Sequence, residues 1–167
     1  MKIILRFCLC LMIFLLSFEH AAFAYEQQKT GVWTLNNFQF HDGTQLPQLN
    51  IGYTTLGNPS NPAVLILHGT TGTGQGMLSP AFGGELFGDG QVLDAKKYFI
   101  ILPDAIGMGQ SSKPSDGLHA RFPNYNYDDM VKAQYLLVHE GLGIQHLRLI
   151  MGNSMGGTRG RSRHKVL

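Results

Sequence analysis

The chain has 167 residues, of which 44% are hydrophobic and 14% are charged. This composition is typical of one globular domain with a substantial core and excludes a largely disordered chain. Residues 25–157 carry seven Lys or Arg and ten Asp or Glu, whereas residues 158–167 carry four basic side chains and no acidic one. The main body therefore lacks the basic face that nucleic-acid binding requires, and we expect no nucleic-acid partner.

Residues 1–24 have the pattern of a secretory signal peptide. Lys2 and Arg6 form a basic start, an apolar stretch follows over residues 7–18, and the small-x-small sequence at residues 22–24 predicts cleavage after Ala24. The apolar stretch is short for a membrane-spanning helix, so an uncleaved anchor is the alternative. We expect a secreted or periplasmic protein with no stable membrane anchoring once the signal is removed.

Both cysteines of the chain, Cys8 and Cys10, lie inside this predicted signal segment. The mature chain would then have no cysteine, which excludes a disulfide, a thiol nucleophile and a cysteine-ligated metal. A cysteine-free exported chain is compatible with the periplasm or the extracellular medium.

The first part of the mature chain predicts strands. Two extended runs, residues 31–40 and 49–56, flank turn-forming residues 41–44 and predict an antiparallel hairpin. Ala63–Leu67 and residues 98–102 are short and continuously apolar, as expected for strands covered on both faces in a parallel sheet. The segment between these two strands, residues 72–97, has no apolar periodicity from which a helix could be located.

Residues 126–141 predict a helix. Asn126 can cap its N-terminus, with Asp129 at the capping-box position, and Gly141 and Gly143 end it. We expect one apolar stripe on this helix, formed by Tyr127, Val131, Tyr135, Val138 and Leu142. Because a further apolar run follows at residues 147–151, the order of elements predicts an open α/β sheet.

The apolar run at residues 147–151 ends in a Gly-x-Ser-x-Gly sequence. Gly152 and Gly156 stand two residues on either side of Ser154. This pattern predicts a buried strand that turns sharply into a helix, with Ser154 exposed at the strained turn. A plain strand-ending turn is the alternative, because glycine and serine are common turn residues.

A glycine-rich run follows Ala63–Leu67 and begins with His68 and Gly69. Its spacing partly matches a phosphate-binding loop, but Gln75 and Gly76 stand where Lys and Ser or Thr are needed. A dinucleotide fingerprint is also missing. We therefore expect neither nucleotide nor any other cofactor, and no metal.

Three motifs in this order resemble those of the α/β-hydrolase superfamily. They are His-Gly at residues 68–69, Asp-x-x-Gly-x-Gly at residues 104–109 and Gly-x-Ser-x-Gly at residues 152–156. A closer resemblance is to the homoserine O-acetyltransferase-like branch, through residues 53–57, 68–72, 94–101, 122–123, 129–134 and 154–157. It implies that residues 25–157 are the N-terminal portion of an α/β-hydrolase fold, a mostly parallel sheet with an N-terminal antiparallel hairpin.

The resemblance also implies roles for individual residues. Ser154 would be the nucleophile, and the backbone N–H groups of Thr70 and Met155 would form the oxyanion hole. His68 is expected to be structural, bonded to nearby backbone. Asp104 is expected to lie in a structural turn, because in this superfamily the acidic and histidine partners follow the serine along the chain.

The chain departs from true homoserine acetyltransferases at residues 151–153, where Met-Gly-Asn precedes the serine, and at the turn of residues 104–112, which is more similar to that of ordinary hydrolases. An export signal is also unusual for a methionine-biosynthetic enzyme. We therefore favour a serine hydrolase acting on an ester or related small acyl substrate. An acyltransferase and a non-catalytic remnant or binding module are the alternatives.

Residues 158–167 form an aberrant basic tail. They lack the apolar, small-residue face that a helix after the serine needs, and they contain His164 but no acidic residue. We expect a truncated or frameshifted chain that lacks a complete triad and is inactive by itself. A tail that binds an acidic partner is the alternative. The sequence leaves the oligomeric state open.

Overall fold

The computed structural model describes Tyr25 and residues 27–161. The predicted signal segment, with both cysteines, and residues 162–167, with His164, lie outside the described residues. The strands are β1 (Lys29–Gln39), β2 (Gln45–Leu56), β3 (Ala63–Leu67), β4 (Phe99–Pro103) and β5 (Leu147–Gly152). The α-helices are α1 (Gly83–Leu86), α2 (Tyr127–Leu136) and α3 (Met155–Arg161). Short 3-10 turns cover Gln75–Leu78, Pro114–Asp116 and His119–Arg121, and a π-helical turn, Leu137–Gly141, extends α2.

The five strands form one mixed sheet in the order β1-β2-β4-β3-β5. β1 pairs with β2 and β2 with β4 in antiparallel fashion, whereas β3 pairs with β4 and β5 in parallel. This confirms the predicted fold class, an α/β sheet that opens with an antiparallel hairpin. Because β3 lies between β4 and β5, the loops after these three parallel strands meet at one edge of the sheet.

Both faces of the central strands are covered, as their continuous apolar sequences predicted. Successive side chains of a strand point to opposite faces, so β3 contributes Val64 and Ile66 to one core cluster and Leu65 and Leu67 to another. The first cluster lies under the segment between β3 and β4, which buries Phe87 although it contains little regular helix. The second lies under the π-helical turn that extends α2, which contributes Val138.

α2 begins as predicted, and its buried face overlaps the predicted stripe only in part. The Asn126 side chain accepts hydrogen bonds from the N–H groups of Asp128 and Asp129, and the Asp129 carboxylate accepts one from the Asn126 N–H. The predicted stripe was wrong at Tyr127, the first residue of the helix, which is 45% exposed, although Met130 in the same turn is buried. The residues of α2 and its extension that face the core are Met130, Val131, Ala133, Gln134, Leu137 and Val138.

Candidate active site

Ser154 lies in a tight turn between β5 and α3. Its φ angle is +51°, in the left-handed region that non-glycine residues seldom occupy, and the residue is exposed. The Asn153 N–H donates to the Leu67 carbonyl at 3.0 Å, which ties the turn to the end of β3. The Gly156 N–H donates to the Asn153 carbonyl at 2.8 Å and closes the turn into the helix. The predicted strand–turn–helix is therefore present, with the serine at its apex.

The two glycines that flank Ser154 are required by close backbone approach. A Cβ on Gly152 would lie 2.2 Å from the Gly156 carbonyl carbon, and a Cβ on Gly156 would lie 2.2 Å from the Leu67 carbonyl oxygen. Both contacts are with backbone atoms, which cannot rotate away. The turn can therefore bring α3 against the ends of β3 and β5 only with glycine at these two positions.

The glycine-rich loop after β3 lies directly beside the serine. A Cβ built on Gly69 would be 3.4 Å from the Ser154 Cβ and 3.3 Å from the Asn153 carbonyl oxygen. The loop then reverses through a turn in which the Gly72 N–H donates to the Gly69 carbonyl at 3.1 Å and Thr71 has a φ of +61°. A side chain at position 69 would therefore be in contact with the serine turn, and glycine leaves the space between them open.

Thr70 and Met155, the predicted oxyanion donors, both adjoin this contact. Thr70 follows Gly69 and is exposed, and Met155 is the first residue of α3, so its N–H has no acceptor within the helix. No hydrogen bond among the described residues uses either N–H group. The arrangement is compatible with two donors aimed at an oxygen beside Ser154, and their role stays a prediction.

His68 is fully buried and bonded to backbone on both sides of its ring. Its Nδ1 lies 2.7 Å from the Gly69 carbonyl oxygen, and its Nε2 accepts the Ala105 N–H at 2.9 Å. These partners fix the tautomer with the proton on Nδ1, because a carbonyl accepts and an N–H donates. The ring thus links the loops after β3 and β4, as expected of a structural histidine.

Asp104 is the first residue after β4 and is also buried. Its Oδ1 accepts the Gly74 N–H at 2.7 Å, and its Oδ2 accepts the Gln110 N–H at 2.8 Å. Ser111 is fully buried beside it, with its hydroxyl donating to the Asp104 carbonyl and accepting from the Gly52 N–H. Asp104 therefore holds a turn together, in agreement with the sequence-based interpretation.

The sequence pattern did not reveal that Asp104 is bonded to the glycine-rich loop after β3. Gly74 is 30 positions away along the chain, and the motif at residues 104–109 carries no mark of that partner. The sequence did show that Asp104 follows the end of a predicted strand. To infer from this that Asp104 bonds to the glycine-rich loop, one would need to know that β3 and β4 are neighbours in the sheet.

Two other features of the described residues bear on the site. They contain no cluster of three or more His, Cys, Asp or Glu side chains placed to hold a metal ion. Their helices include none that is long and apolar enough to cross a membrane. The sequence from Met155 to Arg161 contains no Asp, Glu or His, so no partner for Ser154 comes from α3.

An exposed serine at a strained strand-to-helix turn, next to the glycine-rich loop that follows the neighbouring strand, is the arrangement typical of the α/β-hydrolase fold. Comparison with known families agrees, since residues 62–161 match the alpha/beta hydrolase fold family. The chain belongs to this family.

Curated relatives confirm the resemblance to the homoserine O-acetyltransferase branch. The chain is 34% identical over 134 residues to the homoserine O-acetyltransferase of Thermobifida fusca, covering 70% of this chain and 35% of that protein. It is 36% identical over 129 residues to the enzyme of the same name from Haemophilus influenzae, covering 69% of this chain and 36% of that protein. The chain thus spans about a third of the length of these relatives.

A solved hydrolase is similar in structure as well. An acetylester hydrolase from Corynebacterium glutamicum superposes with a TM-score of 0.69 at 27% identity, over 78% of this chain and 38% of that one. The proteins to which this chain is similar therefore include ones named as acetyltransferases and one named as an ester hydrolase.

Proposed function

We propose that this chain carries the nucleophile and the oxyanion hole of a serine hydrolase that acts on small acyl esters. Ser154 Oγ attacks the ester carbonyl, the N–H groups of Thr70 and Met155 stabilise the oxyanion, and the alcohol leaves to give an acyl-serine. Water then releases the acid. The observation that carries the proposal is the exposed Ser154, held at a φ of +51° beside the glycine-rich loop at Gly69.

The geometry favours acyl chemistry over simple ligand binding. A serine in a strained conformation lowers the stability of the fold by on the order of 1–3 kcal/mol. A pocket that only binds a ligand could present a hydroxyl group without this strain. Two backbone donors beside it are what a tetrahedral intermediate requires, and losing one such donor slows acyl transfer about 100- to 1000-fold in serine hydrolases. A base must reach Ser154 from outside α3, because a serine hydroxyl is a weak nucleophile without one.

The test is acylation by p-nitrophenyl acetate of a protein, called wild type below, in which this segment is joined to the base that Ser154 requires. Acylation is followed by p-nitrophenolate release and by intact-mass spectrometry. We expect one acetyl group on wild-type protein, located on the peptide containing Ser154, and none on S154A. Ser79 is another exposed serine in the described part of the chain, and S79A is the matched control that should be acylated like wild type. Equal ester cleavage by wild type and S154A would refute the proposal.

Acyl transfer to an alcohol is the second candidate, favoured by the names of the curated relatives. Both candidates share the acyl-serine and differ only in the acceptor. In a transferase, homoserine added to the reaction accelerates turnover with acetyl-CoA and yields the O-acetyl product. In a hydrolase, turnover of the ester is independent of homoserine and yields acetate.

We also propose that the protein is exported and processed. The supporting observation is the basic, apolar and small-x-small succession in residues 1–24. N-terminal sequencing of protein recovered from the periplasm or the medium should begin at Tyr25. Recovery of the unprocessed chain in the membrane fraction would instead support the anchored alternative.

A further inference from the structure

The loop that passes Ser154 is fastened at its far end by a carboxylate. Three loops lie side by side at the carboxyl ends of β4, β3 and β5, and they contain Asp104, the segment 68–74 and Ser154 respectively. Segment 68–74, here called the oxyanion loop, is the middle one. It lies beside Ser154 at Gly69 and is bonded to Asp104 at Gly74. The same short loop therefore adjoins the serine at one end and the carboxylate at the other.

The bond from Asp104 to this loop is short and shielded from water. Asp104 is 6% exposed, and its Oδ1 accepts the Gly74 N–H at 2.7 Å. Its other oxygen is occupied by the Gln110 N–H at 2.8 Å. Both carboxylate oxygens therefore accept from backbone N–H groups, a charge-assisted interaction stronger than a neutral hydrogen bond.

A second tie holds the near end of the loop. The His68 ring bridges the Gly69 carbonyl and the Ala105 N–H, at 2.7 and 2.9 Å. The two residues after β4, Asp104 and Ala105, thus fix the oxyanion loop at both ends. Thr70 lies between these ties, one residue beyond Gly69.

We propose that Asp104 is a positioning residue for acyl transfer, which holds the oxyanion loop so that the Thr70 N–H points at the developing oxyanion, with His68 supporting the near end. This inference rests on the proposed function. Asp104 contacts neither the serine nor a substrate in this account. It acts through the backbone of the loop, so its loss should slow acylation more than it weakens ester binding.

Asp94 provides a matched control for this inference. It is also a buried carboxylate, 4% exposed, and it accepts two backbone N–H groups, from Gly90 at 2.9 Å and from Lys96 at 2.8 Å. Its loop lies before β4 and belongs to the opposite end of that strand. Its Oδ2 also lies 3.9 Å from the exposed Lys97 Nζ. D104N and D94N both remove the charge of a buried carboxylate that accepts two backbone N–H groups, and only Asp104 is bonded to the oxyanion loop.

The experiment measures the acylation rate constant and the half-saturating concentration of p-nitrophenyl acetate for wild type, D104N and D94N, each normalised to the folded fraction. We expect D104N to lower the rate constant about tenfold or more and to change the half-saturating concentration less than about threefold, since small misplacements near the chemistry can cost up to 100-fold. D94N should stay within about twofold of wild type in both. Amide hydrogen exchange at Gly74 should accelerate in D104N alone.

The outcomes distinguish failure of the proposed function from failure of the positioning role of Asp104. If wild type is not acylated at Ser154, the proposed function fails. If wild type is acylated and D104N reacts like D94N, the positioning role is overturned and the proposed function stands. Should D104N fail to fold, the acylation rate constant of H68Q tests the positioning role instead, because this substitution removes the His68 ring that links Gly69 to Ala105. We expect the same loss of rate in H68Q. A folded H68Q with wild-type acylation would also overturn the positioning of this loop from the β4 side.

Discussion

The glycines around Ser154 give a sharp contrast in stability. An alanine at Gly156 would place its Cβ 2.2 Å from the Leu67 oxygen, 2.7 Å from the Leu67 carbonyl carbon and 2.9 Å from the His68 oxygen. An alanine at Gly157 would meet nothing nearer than the Gly152 oxygen at 3.5 Å, an ordinary contact. The two substitutions are adjacent in the same helix and add the same methyl group, so they differ only in what that group meets.

The magnitudes follow from these distances. Overpacking costs about 1–3 kcal/mol or more, and G156A lies at the upper end because α3 must move about 1 Å away from β3 to relieve the contact. Replacing a helical glycine by alanine returns roughly 0.5–1 kcal/mol in both variants. We therefore expect G156A to lower the free energy of unfolding by about 2 kcal/mol or more and G157A to raise it by about 0.5–1 kcal/mol.

Urea unfolding of both variants, followed by circular dichroism and by fluorescence of the single tryptophan, Trp33, measures this difference. G156A should also lose acylation at Ser154, because the contact displaces the serine relative to Gly69. Equal stability of G156A and wild type, or equal destabilisation by G156A and G157A, would refute the reasoning that backbone approach shapes this turn.

Three further predictions concern the fold that carries the site. N126A removes the side chain that caps α2 and should lower the free energy of unfolding by about 1 kcal/mol in urea titrations, whereas N61A in an exposed turn should cost less. I101A leaves a cavity in a fully buried strand and should cost about 2–5 kcal/mol by the same measurement, and a loss below about 1 kcal/mol would contradict the packing described. Hydrogen bonds from the backbone N–H groups of Gly90 and Lys96 lower the pKa of Asp94 from its ordinary value of 3.8. Because the folded pKa lies below the unfolded one, this contribution to stability is present above about pH 4 and is lost as the pH falls further. In acid titrations D94N should therefore lose less stability below pH 4 than wild type, and an identical acid dependence would contradict the assignment.

The sequence predicted the parts of the fold that depend on local pattern. Continuous apolar runs identified β3 and β4, and the turn residues at positions 41–44 identified the hairpin, because burial and turn geometry act over a few residues. The helix cap at Asn126 was equally readable. The strained turn at Ser154 was predicted because its glycine spacing encodes a backbone approach that other residues cannot make.

What the pattern missed depends on contacts between distant segments. Tyr127 belonged to a regular apolar stripe, yet it is exposed whereas Met130 in the same turn of α2 is buried, because the segments around the helix decide which of its residues are covered. The bond between Asp104 and Gly74 joins two loops whose proximity follows from the strand order and not from either motif. Helical spacing describes one element, whereas burial and tertiary hydrogen bonds are set by its neighbours.

The central claim is that Ser154 is a reactive nucleophile, and labelling with a fluorophosphonate probe tests it most directly. Native wild type, with the base that Ser154 requires, is treated with the probe beside S154A and heat-denatured wild type, and the modified peptide is identified by mass spectrometry after digestion. We expect a single adduct on Ser154 in native wild type and none in the other two samples. No adduct on native protein, or an adduct on a different serine that persists in S154A, would contradict it and favour a non-catalytic role.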